Sequence, residues 1–207
     1  HSVGELVAAT LASVFTLQDA VQIIVARGRA MHQAAAGAMA AVPLSPDQAV
    51  SKIQCSGVAD RVWVAAHNAP QSTVVSGCVE GIEKLVDQLA SEGIAAQRLK
   101  TKHAFHTPMM KEATNQFAAV LSAVQLSAPR IPLASTVTGR MSSDREATDA
   151  EYWCNQLLQP VVFSPAVSCL IKLGCNVLLQ VGLGTALVSL VKQQLSHLEN
   201  QAVATSP

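Results

Sequence analysis

Apolar residues recur at helical spacing from the start of the chain. Residues 5–12 read as one helix, and Thr16-Leu17-Gln18-Asp19 opens a second with a capping-box pattern that runs to about Gln33. On the second helix Leu17, Val21, Ile24, Gly28 and Met31 share a stripe. Arg27 sits beside that stripe, three residues from Ile24 and four from Ile23 and Met31, so it is expected to face inward; Arg29 points nearly the other way. Near Gly37 the period changes. Residues 38–42 read as a strand, and Ser45-Pro46-Asp47-Gln48 opens a helix to about Gln54. Strands follow at 61–66 and 72–76 around an Asn68-Ala69-Pro70 turn. Ile82, Leu85, Val86 and Leu89 then return to helical spacing, and 94–99 is a last strand. The order β-α-β-β-α-β is the ferredoxin-like signature.

Beyond His106 the elements lengthen. Met110, Ala113, Phe117, Val120, Leu121 and Val124 form one helix face, and 132–137 reads as a strand closed by Thr138-Gly139. Thr148-Asp149-Ala150-Glu151 caps a helix ended by Pro160, and Ser164-Pro165 opens another that Gly174 stops. Residues 177–181 are a continuous apolar run of the kind buried in parallel sheets, followed by Gly182-Leu183-Gly184 and a final helix from Thr185. The tail after His197 is expected to be loose. The fold class that follows is α/β. Residues 1–36 and 103–207 form a large unit into which a ferredoxin-like unit, 37–102, is inserted.

Composition narrows the function. Half of the 207 residues are hydrophobic but only 3% are aromatic, so the core is expected to be built from Ala, Val, Leu and Ile. Charge is balanced, with no basic run or aromatic stripe to suggest a nucleic-acid groove. The longest apolar stretch, 177–191, is interrupted by Gln180, two glycines, Thr185 and Ser189, and falls short of the ~20 apolar residues a membrane helix needs. Five cysteines, odd in number and unspaced for zinc, read as reduced core residues of a cytoplasmic protein.

Candidate chemistry lies at two distant places. Ser2-Val3-Gly4 running straight into an apolar helix suits a nucleophile elbow, in which a tight turn exposes the hydroxyl and the next N–H, that of Val3, faces an oxyanion. A histidine from His103-Ala104-Phe105-His106-Thr107-Pro108 would supply the general base. The glycine expected before His1, and the strand feeding the turn, would lie upstream, so the chain reads as an N-terminally truncated fragment that folds poorly alone. An inward Arg27 needs an anion. Either it forms a structural ion pair with a local carboxylate or it clamps a substrate carboxylate bidentately. No third ligand is spaced to make His103 and His106 a metal site, and Gly182-Leu183-Gly184 lacks the third glycine of a phosphate loop.

Taken in order, Ser-x-Gly-Glu, Arg27-Gly28, Asn68 to Pro70 with Val74 to Gly77, His-Ala-Phe-His, Tyr152-Trp153, Gln159 to Phe163 and Val-Gly-x-Gly resemble the acyltransferase domain of polyketide synthases. More distantly they are similar to the malonyl-CoA:acyl-carrier-protein transacylases of fatty-acid synthesis. The resemblance implies an α/β-hydrolase-like large subdomain carrying a ferredoxin-like small one, with the active site between them. It implies Ser2 as nucleophile, His106 as general base, Val3 as one oxyanion donor and Arg27 as the clamp on the extender unit's carboxylate. Gln156 would orient the histidine through its backbone carbonyl, and Asn68 would lie in the cleft. Phe105, in the His-Ala-Phe-His form, implies malonyl selectivity, since its ring would fill the space an α-methyl needs. No cofactor is bound tightly; the substrates are a CoA thioester, malonyl-CoA, and the phosphopantetheine thiol of an acyl carrier protein, with a ketosynthase and other domains in the same synthase. Leu6, Ser13, Gln180 and Leu183 depart from common family choices. Three rivals remain: a stand-alone transacylase of fatty-acid synthesis, an α/β-hydrolase esterase, and a scaffold that has lost its chemistry. The esterase would need a strand-borne acid before the histidine, and 93–105 contains none.

Overall fold

The computed structural model describes residues 1–195 and 203–205, which combine helices with short strands in an α/β arrangement. Helix α1 (Val3–Leu11) starts directly after Ser2 and buries Glu5, Leu6 and Ala9. Helix α2 (Leu17–Gln33) is capped by Thr16, whose hydroxyl accepts from the Asp19 N–H at 3.1 Å. Its buried face is Ala20, Ile23, Arg27 and Ala30. This corrects the predicted stripe. Leu17 and Val21 are exposed, while Ile24 and Met31 only flank the core. Small Ala20 and Ala30 fit the packed face better than the larger residues do, and the rotation sets Arg27 at its centre.

The chain then forms β1 (Ala38–Val42), α3 (Pro46–Cys55), β2 (Val62–Ala69), β3 (Ser72–Gly77), α4 (Val79–Ser91) and β4 (Gln97–Arg98). The strands make one antiparallel sheet in the order β2-β3-β1-β4, with Ala40 opposite Val75 and Arg98. The expected cap is present on α3, where Ser45 and Gln48 complete a capping box; on α4 the Cys78 sulfur accepts from the Gly81 N–H, a cap the sequence reading did not name. One face of the sheet packs Ala40, Val62 and Val75 against Ile53, Ile82, Leu85 and Leu89. The other packs Met39, Ala65, Ala66 and Val74 against Val161, Phe105 and Phe163. Gly37 stands where the chain enters the sheet. A β-carbon there would meet Ala104 at 2.7 Å, so only glycine allows the segment leading to His106 to lie this close.

After a 3₁₀ turn at Pro108–Met110 come α5 (Lys111–Leu121), α6 (Asp144–Ala147), α7 (Ala150–Asn155), α8 (Phe163–Lys172), β5 (Val177–Leu179), α9 (Ala186–Leu195) and β6 (Val203–Thr205). Phe117 and Leu121 on α5 join Leu6, Ile23, Trp153 and Leu157 in the helical core. Trp153 is fully buried, edge-on to Phe15 and Tyr152, with its indole N–H donating to the Ala147 carbonyl at 3.0 Å.

Several predicted elements differ. Residues 132–137 form no strand but a turn held by one bridge, Ala134 to Met141, because no neighbouring strand among the described residues takes their backbone groups. The cap of α7 is Asp149 rather than Thr148, and the helix stops at Asn155, well before Pro160. The run at 177–181 shortens to β5 and is largely exposed rather than buried, since among the described residues its sheet contains only β6, running parallel. Part of the tail expected to be loose supplies β6; positions 196–202 and 206–207 lie outside the described residues. Cys55 and Cys175 are exposed, not core, and the other three cysteines are half-buried. Among the described residues no helix is long and apolar enough to cross a membrane.

Candidate acyl-transfer site

Ser2 precedes α1 with φ 51° and ψ −116°, a conformation that non-glycine residues rarely adopt. That turn points the hydroxyl away from the helix. Its Oγ lies 2.8 Å from His106 Nε2 and accepts a hydrogen bond from Arg27 Nη2, also at 2.8 Å. The serine proton therefore goes to the histidine. His106 comes from far along the chain, after β4, and is itself at φ 59°. The proline after Thr107 holds that residue extended, and the buried Thr107 hydroxyl donates to the Ala104 carbonyl at 2.7 Å while accepting from the Met109 N–H. These contacts pin the turn that presents the imidazole.

The far ring nitrogen, Nδ1, is shared between two carbonyl oxygens, those of Gln156 and Gln159, each at 3.1 Å. They fix the tautomer with its proton on Nδ1 and leave Nε2 free to accept. Gln156 was expected; Gln159 was not, because a main-chain acceptor carries no side-chain signature. Burial, and then the positive charge of Arg27, push His106 down to about 4, against the opposing pull of the two carbonyls. The ring is neutral at pH 7. Removing the Arg27 charge removes a depressing cause, so the midpoint of the His106 ring resonances in an NMR titration is expected to move upward in Arg27→Leu. An unmoved midpoint would mean that the two groups do not sense each other.

Arg27 is only 6% exposed, and burial alone lowers it to about 10. Among the described residues it forms no ion pair, and its Nε has no partner. The expected alternative of a local carboxylate thus finds no acid in place. Val3 is the first residue of α1, with its N–H at the open helix start beside Ser2. Asn68, on β2, holds the His1 ring through Oδ1 at 2.8 Å, and that ring lies tilted at 50° against Phe163, their centroids 5.5 Å apart. Phe105 is half-buried against the sheet face that includes Val74 and Val161, with its ring 5.8 Å from His103. His103 turns instead to the Ala35 carbonyl, and among the described residues no three potential metal ligands gather. A cavity of about 350 Å³ opens beside His106, walled by Trp63, Val64, Lys111, Leu158 and Pro160.

A serine, a neutral histidine and an unpaired buried arginine meet here from three separate parts of the chain. The family model described as the acyl transferase domain matches residues 1–206. The chain belongs to the acyl transferase domain family. Among its relatives, the phenolphthiocerol synthesis polyketide synthase Pks15/1 of Mycobacterium marinum is 38% identical over 206 residues, covering 99% of this chain and 10% of that protein. Polyketide synthase GfsB of Streptomyces halstedii is 35% identical over 188 residues, covering 90% of this chain and 3% of that protein. The chain thus spans a small part of the curated relatives it matches. Among solved structures, the acyltransferase domain from the second module of the salinomycin polyketide synthase aligns with a TM-score of 0.90 at 31% identity, over 100% of this chain and 48% of that one. The malonyl-CoA:acyl carrier protein transacylase FabD of Xanthomonas oryzae pv. oryzae aligns with a TM-score of 0.90 at 28% identity, over 100% of this chain and 66% of that one. One relative, 38% identical over 205 residues, 99% of this chain and 12% of that protein, is described as a putative inactive synthase of Mycobacterium tuberculosis. Membership in the acyl transferase domain family alone therefore does not decide activity.

Proposed function

We propose that the chain moves a malonyl unit from malonyl-CoA, through an ester on Ser2, to the phosphopantetheine thiol of an acyl carrier protein in polyketide synthesis. The observation that carries this reading is Arg27: buried, without an acid among the described residues, and hydrogen-bonded to the same oxygen that would attack. Its free Nε–H is suited to a carboxylate on the incoming acyl group. In the reaction His106 Nε2 takes the Ser2 proton as Oγ attacks the thioester carbonyl, and the Val3 N–H faces the developing oxyanion. The C–S bond breaks, and the imidazolium returns the proton to the departing CoA sulfur. The carrier thiol then attacks the seryl ester by the same steps in reverse. Pairing a substrate carboxylate with Arg27 offsets the charge that depresses His106, so the base strengthens as malonyl binds.

The architecture we read in this site has residues 1–36 and 103–207 as an α/β-hydrolase-like large subdomain and 37–102 as a ferredoxin-like insert, supported by the strand order β2-β3-β1-β4. Two backbone carbonyls on His106 Nδ1, in place of a carboxylate, favour transfer over an esterase triad. The polyketide assignment, rather than stand-alone fatty-acid synthesis, draws on the identity to polyketide synthases. Other synthase domains, a ketosynthase among them, are the partners this implies, and the setting is cytoplasmic.

The test uses protein produced with any flanking sequence its gene encodes, supplied with malonyl-CoA, methylmalonyl-CoA and a phosphopantetheinylated carrier protein. The malonyl group should appear on the carrier, preferred over methylmalonyl by about ten- to a hundredfold, since an added methyl packed against the Phe105 ring costs roughly 1–3 kcal/mol. Phe105→Ser should narrow the gap. Free malonate without carrier acylation would return the esterase, and equal use of both esters by wild type would remove malonyl selectivity.

A further inference from the structure

Glu5 is a carboxyl group for which acyl transfer by Ser2 and His106 provides no task. It stands in the first turn of α1, only 3% exposed. Its Oε2 accepts from the Thr136 hydroxyl and, at 3.0 Å, from Gln156 Nε2, and its Oε1 accepts from the Tyr152 hydroxyl at 2.5 Å. Tyr152 has a single proton, so in its 2.6 Å contact with Ser135 the serine donates. Burial, reinforced by Glu5, keeps the phenol above its usual range and protonated as a donor.

Gln156 is the other unusual member. Its Nε2 also donates to the Ser2 carbonyl oxygen at 3.3 Å, while its Oε1 is buried without a partner among the described residues. Turned over, the amide would set its oxygen against both the Glu5 carboxyl and the Ser2 carbonyl, so Glu5 dictates which end faces the serine. The main-chain carbonyl of the same residue holds His106 Nδ1. The Glu5 N–H closes the circuit, donating to the Ser2 carbonyl at 3.0 Å. A strained residue such as Ser2 persists only when its surroundings over-determine it.

We propose that Glu5 and Gln156 are a positioning pair: the carboxyl aims the Gln156 amide at the Ser2 carbonyl, keeping the strained serine in register with the histidine that Gln156 holds through its backbone. The proposal rests on the reading of Ser2 and His106 as nucleophile and base, and reaches beyond it to residues that touch no substrate.

Gln156→Met tests it, because the variant keeps the main-chain carbonyl and the side-chain length while losing both donated bonds. The readout is the labelling rate of Ser2 by a small neutral fluorophosphonate, which needs the serine and its base but no carboxylate, measured with KM and kcat for malonyl-CoA and thermal unfolding. Labelling and kcat are expected to fall together by about ten- to a hundredfold, with KM nearly constant, as for a misplaced reacting atom. Tyr152→Phe, which removes one bond to Glu5, should slow labelling by a smaller factor. Wild-type labelling in Gln156→Met overturns the proposal. Should that variant fail to fold, wild-type labelling in Tyr152→Phe does so. A wild type that the probe never labels overturns both the pair and the reading beneath it, whereas a labelled wild type that transfers no malonyl group overturns only the substrate.

Discussion

Ser2→Ala is expected to abolish the covalent malonyl adduct and to lower transfer to a carrier thiol by on the order of 10³-fold or more. The expectation comes from geometry. The hydroxyl sits 2.8 Å from a neutral imidazole nitrogen, on a turn whose strain serves no evident purpose other than to expose it. His106→Ala should slow acylation nearly as far while leaving the adduct chemically possible, because the serine then attacks without a base. Combining the two changes should add little, as for groups that act as one unit. Intact-mass spectrometry after exposure to malonyl-CoA, with peptide mapping, measures both. An adduct of wild-type abundance in Ser2→Ala would place the nucleophile elsewhere and end the assignment. This experiment also answers the question raised by a relative described as inactive, since a chain that has lost its chemistry gives no adduct in wild type either.

How far the sequence anticipates this site depends on where the information resides. Local patterns were legible: the caps at Thr16 and Ser45 arise from side chains within three residues of the N–H they satisfy. The short runs at 38–42, 61–66 and 72–76 likewise anticipate strands whose faces pack on different partners. The inward turn of Arg27 was legible from spacing, but not which neighbours share its face, because close packing selected Ala20 and Ala30 over Leu17 and Val21. Strand pairing is non-local. Residues 132–137 and 177–181 have strand-like composition, and only the partners available decide that one becomes a turn and the other a short exposed strand. Within the site, the Gln159 carbonyl and the Glu5 network went unread for different reasons. A backbone acceptor leaves no trace in residue type. Glu5 did leave one: it lies beside Leu6 and four residues before Ala9, on the face that buries both, and its spacing marks it as inward just as that of Arg27 does.

Arg27→Ala is expected to cut reaction with malonyl-CoA far more than with acetyl-CoA, lowering the preference by a factor of about ten or more. Only malonyl carries a carboxylate, and removing one partner of a desolvated charge pair costs on the order of 2–5 kcal/mol. The size of the effect follows from what Arg27 lacks. A guanidinium paired with a protein acid would already have its charge compensated and would have little to offer a ligand. Among the described residues Arg27 has no such acid, and an Nε–H remains open. Its hydrogen bond to Ser2 Oγ adds a second, smaller consequence. Losing that donor also frees the nucleophile and raises His106, so the acetyl reaction should hold steady or improve slightly. Competition between the two CoA esters, followed as seryl adducts by mass, separates the effects. Equal losses with both esters, accompanied by a lowered melting temperature, would mean that the arginine serves folding alone, and Arg27→Lys should then restore both reactions alike. If Arg27 serves the substrate, lysine restores malonyl transfer only in part, because a single ammonium cannot reproduce the planar, two-pronged contact with a carboxylate.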